Sequence, residues 1–406
     1  MNWVKDRKTQ VLADQMIVSG TNFLLTILLA RHLCTSTFGQ YAAYILIAYF
    51  GISALSAWGI QIFQVATEKS VSYISFIVFW QLLLMVILLV VSTTINAWFN
   101  LYEVSIGSYL FIFGFIINDF GRRVLLSLDK TIQTLLFDLF ISIYLIITVA
   151  FSIMKNIQDL EQILTIFAYG YSLSLILIFL FLKPFYIEKL DVAKYFNAHI
   201  KEGKWLFLSA LSQWWAGNLL VVAAGIYVGA IGLAALRLAQ SLFGVLNVLL
   251  QTFENYVLPQ TAEKLRNGLP SAVQYLKDTN HKMGLLFLPL LVITLLLAKP
   301  ILVLSGGNQY ADFAYVVQGY SVLYVFIFLS QPLRFLIRTL QINDHFFYAY
   351  LISLGISLIT SHYLISTFGL QGIIYGLIAS QIILMAYWTF ILHLKNINIW
   401  KSYISY

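Results

Sequence analysis

A line of polar and small residues runs along one apolar stretch of the chain. The stretch is residues 230–258, AIGLAALRLAQSLFGVLNVLLQTFENYVL, and its length predicts a helix that spans a membrane. The residues of this stripe follow one another at steps of three or four, which places them on one face of that helix. They are Arg237, Gln240, Gly244, Asn247, Gln251 and Glu254. The stripe indicates either a seam between packed helices or one wall of a hydrated cavity, and its ionisable ends favour the cavity.

Acidic residues inside predicted spans are candidates for binding a coupling ion, because a carboxylate at membrane depth is costly unless it is paired or used. The candidates for coupling transport to protons or sodium ions are Asp14, Asp138 and Glu254. Asp119 lies one helical turn from Arg122 and Arg123, and we expect it to form a structural ion pair with one of them.

Arginines near the predicted ends of spans have alternative roles. Arg237 lies about two turns inside the outer end of its span, and Arg31 lies nearer the outer end of the first span. Either would attract an anionic group in a cavity, and the alternative is anchoring at the outer interface. Others lie at the cytoplasmic ends of spans, where they are expected to set the topology and meet lipid headgroups, or else to dock a substrate headgroup. These are Arg122, Arg123, Arg334 and Arg338.

The composition is that of a helical membrane protein. Of the 406 residues, 60% are hydrophobic and only 10% are charged, and the mean hydropathy is +0.85. We therefore predict an all-α polytopic membrane protein with about twelve transmembrane helices. The predicted spans are 10–33, 39–65, 72–97, 106–127, 131–154, 162–182, 204–229, 230–258, 283–304, 313–333, 346–366 and 371–393.

Several kinds of chemistry have no support in the sequence. The single cysteine, Cys34, excludes an intramolecular disulfide and a cysteine metal site. The six histidines show no metal-ligand spacing. The chain contains no G-x-x-x-x-G-K-[ST] phosphate loop, so ATP hydrolysis is not indicated. We predict no catalytic residues, no cofactor and no metal site.

Lysine and arginine fall almost entirely on one side of the predicted spans. The exceptions among the 24 are Arg31, Lys155, Arg237 and Lys299. This bias predicts that the basic side is cytoplasmic and that both termini lie there. It also accounts for the net charge of +7 without a nucleic-acid partner.

The two halves of the chain are related in pattern. FGQYAAYILIAYFG (38–51) resembles IGLAALRLAQSLFG (231–244), and the spacing from Arg123 to Asp129 matches that from Arg338 to Asp344. Six spans per half give both halves the same orientation, so we predict two six-helix lobes related by a parallel pseudo-two-fold repeat. The predicted divisions are an N-terminal lobe (1–182), a cytoplasmic linker (183–203), a C-terminal lobe (204–393) and a cytoplasmic tail (394–406).

The first two spans of each half carry most of the polar side chains at membrane depth. Asn22, Gln61 and Gln213 belong to spans one, two and seven, and the stripe belongs to span eight. Two such pairs facing each other would line a central cavity that holds a substrate. The predicted cavity residues are Arg237, Gln240, Asn247, Gln251, Asn22, Gln61, Gln213 and Arg31.

A family resemblance rests on LLARHLCTSTFGQYAAYILI, FGRRVLLSLDKTIQTLLFDLF and ENYVLPQTAEKL, taken with the two related halves. Over essentially the whole chain the arrangement resembles the polysaccharide transporter (Wzx-type flippase) family. That family belongs to the superfamily of the lipid II flippases and the multidrug and toxin extrusion transporters. The resemblance implies a two-lobed bundle, a central cavity lined by spans one, two, seven and eight, and alternating access.

The cargo implied by the resemblance is an oligosaccharide on undecaprenyl pyrophosphate, such as an O-antigen, capsule or exopolysaccharide repeat unit. It would move from the inner to the outer leaflet of the bacterial cytoplasmic (inner) membrane, with Arg237 attracting the pyrophosphate. The implied partners are this lipid-linked glycan, the lipid bilayer, and the polymerase and other glycan-assembly proteins. One alternative is a drug or cation antiporter of the same superfamily, which predicts an acidic cavity. Another is a membrane glycosyltransferase or polymerase, which normally needs an external loop for its chemistry, and the predicted outer loops are short.

Overall fold

The computed structural model describes residues 7–66, 68–99, 105–184, 186 and 189–397. Within these ranges every regular element is a helix, and the predicted all-α class is confirmed. Most of the predicted tail, from residue 398 onward, lies outside the described residues. The helices are α1 (Arg7–His32), α2 (Thr35–Trp58), α3 (Ile60–Val65), α4 (Val71–Phe99), α5 (Ile106–Ser127), α6 (Thr131–Met154), α7 (Leu160–Leu182), α8 (Lys189–Tyr227), α9 (Ala230–Arg266), α10 (Leu269–Leu296), α11 (Ala298–Gly306), α12 (Ala314–Thr339) and α13 (Asn343–Leu394).

The predicted spans correspond to these helices with few changes. The second span is divided into α2 and α3 at Gly59, and the ninth into α10 and α11 at Leu297. The last two form α13, which turns at Gly369 with φ 57° and ψ −133°, a conformation that favours glycine. By length and composition alone, ten helices in the described ranges are able to cross a membrane. That number takes α13 as one helix and leaves out α5, which is as long as several of the others but carries three charged residues.

The chain divides into two compact units, Met1–Leu211 (unit 1) and Ser212–Tyr406 (unit 2). In unit 1, α5 packs against α2, α6 and α7, and α1 packs against α6. In unit 2, α12 packs against α9, α10 and α13. The residues predicted to form a linker, 183–203, include the first turns of α8, a helix of 39 residues.

Glycines on one face of α5 set its distance from α7. A Cβ atom added at Gly107 would lie 2.3 Å from Thr165 Oγ1, and one added at Gly114 would lie 2.4 Å from Tyr171 Cβ. At Gly121 the same atom would lie 2.5 Å from Ile178 Cδ1. Small residues at a helix interface let backbones approach closely, which is how membrane helices gain packing contacts. The seam fixes α5, and with it the arginines near the end of that helix.

His199 holds the start of α8 to the rest of unit 1. Its side chain is buried, with Nδ1 3.1 Å from the carbonyl oxygen of Trp58 and Nε2 3.0 Å from the hydroxyl oxygen of Tyr73. Because a carbonyl oxygen only accepts, Nδ1 donates to Trp58 and Nε2 accepts from the Tyr73 hydroxyl. The rings of Phe76 and Trp80 lie 5.3 and 6.1 Å from the imidazole centroid. Burial lowers the pKa of His199 below its usual value, so the ring is neutral.

The turns that follow α5 and α12 have the same hydrogen bonds. Lys130 N–H donates to Leu125 at 3.0 Å, and Ile342 N–H donates to Ile337 at 3.1 Å. The residue before each donor has a positive φ, 61° at Asp129 and 58° at Gln341. These turns align the two halves of the chain differently from the Arg–Asp spacing in the sequence. Asp129 lies in the turn after α5, whereas Asp344 lies in α13, beyond the turn after α12. When the two halves are aligned on these turns, Arg122 corresponds to Arg334, and the turns do not support the predicted match of Arg123 with Arg338.

Candidate functional site

Unit 1 contains a buried cluster of one arginine and two aspartates. Arg122 on α5 donates from Nη2 to Asp14 Oδ2 on α1 at 2.7 Å, and from Nε to Asp138 Oδ2 on α6 at 2.9 Å. Nη2 also donates to Gln15 Oε1 at 2.9 Å. Only 1% of each aspartate side chain is exposed, and 15% of the arginine. Three helices are thus joined through one guanidinium.

The unit 1 cluster has two acidic side chains for one basic side chain. Two ionised carboxylates against one guanidinium leave one negative charge in a buried site, and this is strongly disfavoured. Asp14 Oδ2 and Asp138 Oδ2 both lie close to Arg122 Nε, at 3.1 and 2.9 Å, and two carboxyl groups that share one site are stabilised when one of them is protonated. Asp14 Oδ1 is also buried and has no hydrogen-bond partner among the described residues. This arrangement has a place for one proton or one cation.

Neighbouring contacts hold the helices of the unit 1 cluster in register. The Thr131 hydroxyl, at the start of α6, donates to Gln10 Oε1 on α1. Arg123 is not part of the cluster, because its Nε donates to Asp119 Oδ2 at 2.6 Å. The expected structural pair of Asp119 is thus present. Arg122 is occupied by the aspartates, and the headgroup-docking role considered for it has no support in its surroundings.

Unit 2 contains a cluster with the opposite ratio of acidic to basic side chains. Glu254 on α9 accepts a hydrogen bond from Arg338 Nη1 on α12, and its Oε2 lies 3.4 Å from Arg334 Nη2. Two guanidinium groups against one carboxylate leave one positive charge. Glu254 is therefore paired with cations already present in the chain, which argues against the predicted role in binding a coupling ion.

The C-terminal part of the α9 stripe borders a cavity inside unit 2. The cavity has a volume of about 520 Å³. Its polar lining consists of Asn247, Gln251 and Glu254 from α9, with Gln331 and Arg334 from α12. The sequence predicted the α9 residues for a cavity but did not single out Gln331 or assign a lining role to Arg334.

The N-terminal part of the stripe is packed against α12. The Gln240 side chain lies within hydrogen-bonding reach of Tyr320, and Arg237 is near enough to the same tyrosine to act on it electrostatically. The ring of Phe243 lies 5.7 Å from Tyr320 and 4.7 Å from Tyr324, between centroids. The two interpretations of the stripe thus apply to different parts of it, a packing seam at one end and a cavity wall at the other.

The remaining predicted cavity residues lie outside both clusters. Arg31, next to the last residue of α1, is exposed, and so is Gln213 on α8. Asn22 and Gln61 are partly buried. None of these side chains is among the groups hydrogen-bonded to Arg122 within the described residues.

Comparison with known proteins bears on the fold. No protein-family model matches the chain, and no curated protein sequence matches it. Several solved structures do match the chain. The lipid II flippase MurJ in an inward closed conformation superposes with a TM-score of 0.70 at 15% identity, covering 95% of this chain and 87% of that one. This chain has the fold of MOP superfamily transporters.

Multidrug resistance transporters of the MATE family in that superfamily superpose as well. The inward-facing conformation gives a TM-score of 0.67 at 15% identity, over 94% of this chain and 96% of that one. The outward-facing conformation gives 0.52 at 15% identity, over 99% and 98%. At this identity the likeness establishes the fold and leaves the cargo to be argued from the residues of this chain.

Proposed function

We propose that this protein is a flippase that moves an undecaprenyl-pyrophosphate-linked oligosaccharide from the inner to the outer leaflet of a bacterial cytoplasmic membrane. The cargo would be an O-antigen, capsule or exopolysaccharide repeat unit, carried by alternating access without ATP hydrolysis. The observation that supports this most is the full-length likeness to a lipid flippase, MurJ. In this proposal the protein is a transporter and has no catalytic residues.

The charge of unit 2 agrees with an anionic cargo. The one excess positive charge of the Glu254 cluster and the guanidinium of Arg237 are both on or against α9. Guanidinium groups are suited to pyrophosphate because their planar donors bind two oxygens at once. Arg334 and Arg338 would meet the headgroup near the C-terminal end of α9, and Arg237 would meet it at the other end of the stripe. The amides of Asn247 and Gln251, which line the cavity, would meet sugar hydroxyls.

The unit 1 cluster would supply the coupling. A site that binds one proton between Asp14 and Asp138 changes charge when that proton leaves, and Arg122 is then held between two full carboxylates. Such a change shifts the equilibrium between two conformations that differ in the hydration of the cluster. Entry of a proton or a sodium ion from the outer side would therefore drive the return of the empty transporter.

The experiment is translocation of a fluorescent undecaprenyl-pyrophosphate-linked sugar in proteoliposomes containing the full chain. We expect the fraction of label accessible to a membrane-impermeant quencher to change at a rate proportional to the amount of protein. Arg237→Ala should slow this rate by about tenfold, since a charge-assisted contact is worth about 1.5–3 kcal/mol. Arg266→Ala, an exposed arginine at the end of the same helix, is the matched control. A rate equal to that of empty liposomes would disprove the proposal.

A second candidate is a drug or cation antiporter. It is favoured by the two acidic side chains of the unit 1 cluster and by the likeness to MATE transporters. It predicts uptake of a fluorescent organic cation into proteoliposomes with an opposing proton gradient. Cation uptake that Asp138→Asn abolishes, with no movement of the lipid-linked sugar, would favour the antiporter over the flippase.

A further inference from the structure

The cavity of unit 2 has the size and the polar lining of a small-molecule binding site. Its volume of about 520 Å³ lies within the range of small-molecule pockets. Asn247 and Gln251 enter it from α9, and Gln331 and Arg334 from α12. All of these side chains belong to unit 2, so the site is complete within one compact unit.

Two buried polar atoms at this cavity lack partners. Arg334 Nε is buried and makes no hydrogen bond to any described residue, although Nη2 of the same side chain lies 3.4 Å from Glu254 Oε2. Gln331 is 3% exposed, and its Oε1 is likewise buried without a partner among the described residues. A buried donor or acceptor left unpaired costs about 1–3 kcal/mol. Both residues line the same cavity, and a turn of each side chain would bring these polar atoms to one ligand bound there.

The charges define the class of that ligand. Glu254 balances only one of the two guanidinium groups of Arg334 and Arg338, so the site attracts an anion. The Arg334 guanidinium directs one edge to Glu254 and leaves Nε for a second acceptor. A half turn of the Gln331 amide brings its NH₂ group to the same place as Oε1. The amides of Asn247 and Gln251 add further N–H donors. Donors of this number and one net positive charge fit an oxyanion with several acceptor atoms.

The geometry points to a phosphoryl-binding site in unit 2, with Arg334 as the principal ligand and Gln331 as the second. Glu254 is a positioning residue, which fixes the guanidinium of Arg334 through Oε2 and that of Arg338 through Oε1. Where the phosphoryl group belongs to the lipid-linked cargo, the inference rests on the proposed function and places the headgroup in unit 2. A free phosphate or pyrophosphate has the same chemistry and is the other source.

The position of Arg334 within α12 agrees with loading from one side. Arg334 and Arg338 lie in the last two turns of that helix, the end that the distribution of lysine and arginine predicts to be cytoplasmic. A phosphoryl group in the cytoplasmic leaflet would therefore reach this cavity from the side on which the lipid-linked glycan is made.

Binding of inorganic pyrophosphate to the purified full chain in nanodiscs, measured by calorimetry, tests the site. We expect Arg334→Gln to raise the Kd by at least about tenfold, and Gln331→Glu, which adds a negative charge at the cavity, to raise it similarly. Arg266→Gln is the matched control, because Arg266 is exposed and lies outside the cavity. Equal affinity in wild type and Arg334→Gln, or no binding by wild type, would overturn the inference. If Arg334→Gln does not fold, the Gln331→Glu result decides in the same way.

Two further measurements identify the source of the anion and test the binding site and the flippase separately. Undecaprenyl phosphate added to the nanodiscs should compete with pyrophosphate if the ligand is a lipid headgroup, and phosphatidylcholine should not; no competition assigns the site to a free anion. Arg334-dependent pyrophosphate binding in a protein that does not translocate lipid-linked sugar would support the site and refute the flippase. Translocation by a wild-type protein that binds no pyrophosphate would refute the site and leave the flippase standing.

Discussion

Arg122 and Arg334 occupy the same place in their two units, seven residues before the positive-φ residue of the turn that ends their helices. Asp129 is that residue after α5, and Gln341 is that residue after α12. The partners of the two arginines differ. Arg122 lies between two aspartates, whereas Arg334 shares one glutamate with a second arginine. The corresponding positions therefore have two acidic side chains for one basic side chain in unit 1, and two basic side chains for one acidic side chain in unit 2.

Removal of the guanidinium from unit 1 should destabilise the protein. Arg122→Ala leaves Asp14 and Asp138 buried without a cation, and breaking a buried ion pair from one side costs about 3–5 kcal/mol. We expect a lower midpoint of thermal unfolding in detergent. Arg123→Ala is the control, because Arg123 is 34% exposed and pairs with Asp119, and such pairs contribute about 1 kcal/mol or less. An equal decrease of the unfolding midpoint in the two variants would contradict this prediction, because the buried cluster would then stabilise the protein no more than the partly exposed pair does.

Neutralising one carboxyl group should uncouple transport. Asp138→Asn keeps an oxygen that accepts from Arg122 and gives the cluster zero net charge without a bound proton. We expect the variant to fold and to lose the dependence of translocation on a proton or sodium gradient. The measurement is the rate of lipid-linked sugar movement with and without each gradient. Asp119→Asn, in the neighbouring pair, should keep the gradient dependence of the wild type.

A side chain at the α5–α7 seam should disturb packing. In Gly114→Ala the new methyl group would lie 2.4 Å from Tyr171 Cβ, and overpacking of this kind costs about 1–3 kcal/mol. Gly217→Ala is the control, since nothing lies within 4 Å of the added atom on α8. The midpoint of unfolding should fall only in the first variant. A stable Gly114→Ala protein would mean that α5 and α7 separate easily.

Acid should weaken the attachment of α8. The pKa of His199 is lowered in the folded chain, so protonation favours the unfolded state. The stability that neutral His199 provides is complete above its ordinary pKa of about 6.5 and is lost as the pH falls through the lowered value. We expect His199→Phe to reduce the difference in unfolding midpoint between pH 7.5 and pH 5.5. His281→Phe, at an exposed histidine on α10, should leave that difference unchanged.

Much of the fold could be predicted from the sequence because apolar length alone locates membrane helices. The start of α2 and the break at Gly59 differ from the predicted spans by a few residues, and the helices of the described ranges are consistent with the twelve predicted spans. The alignment of one half of the chain with the other was harder to predict. Local spacing favoured Arg123 with Arg338, and only the backbone hydrogen bonds of the two turns set Arg122 against Arg334.

The ion pairs between charged residues were harder to predict from the sequence. Asp14 and Arg122 are far apart along the chain, and no local pattern joins them. The unit 2 cavity did have a signal. On α12, polar and aromatic residues follow steps of four and three, the same rule that located the stripe on α9. These residues are Tyr320, Tyr324, Gln331, Arg334 and Arg338, with Ile327 at the intervening position. Two such stripes on helices of the same half were evidence for facing surfaces.

The glycine seam has a mechanical consequence for the charge at Arg122. Sliding α5 along α7 by even one residue, about 1.5 Å, would move Gly107, Gly114 and Gly121 away from the side chains that fit against them and bring larger residues into their places. Helices α5 and α7 therefore behave as a fixed frame, and Arg122 is a stationary charge. The helix α6 is held to the same frame, because a Cβ atom added at Gly170 on α7 would lie 2.3 Å from Tyr144 Cδ1 on α6. When a proton enters or leaves the aspartates, the change in force therefore acts on α1, which carries Asp14.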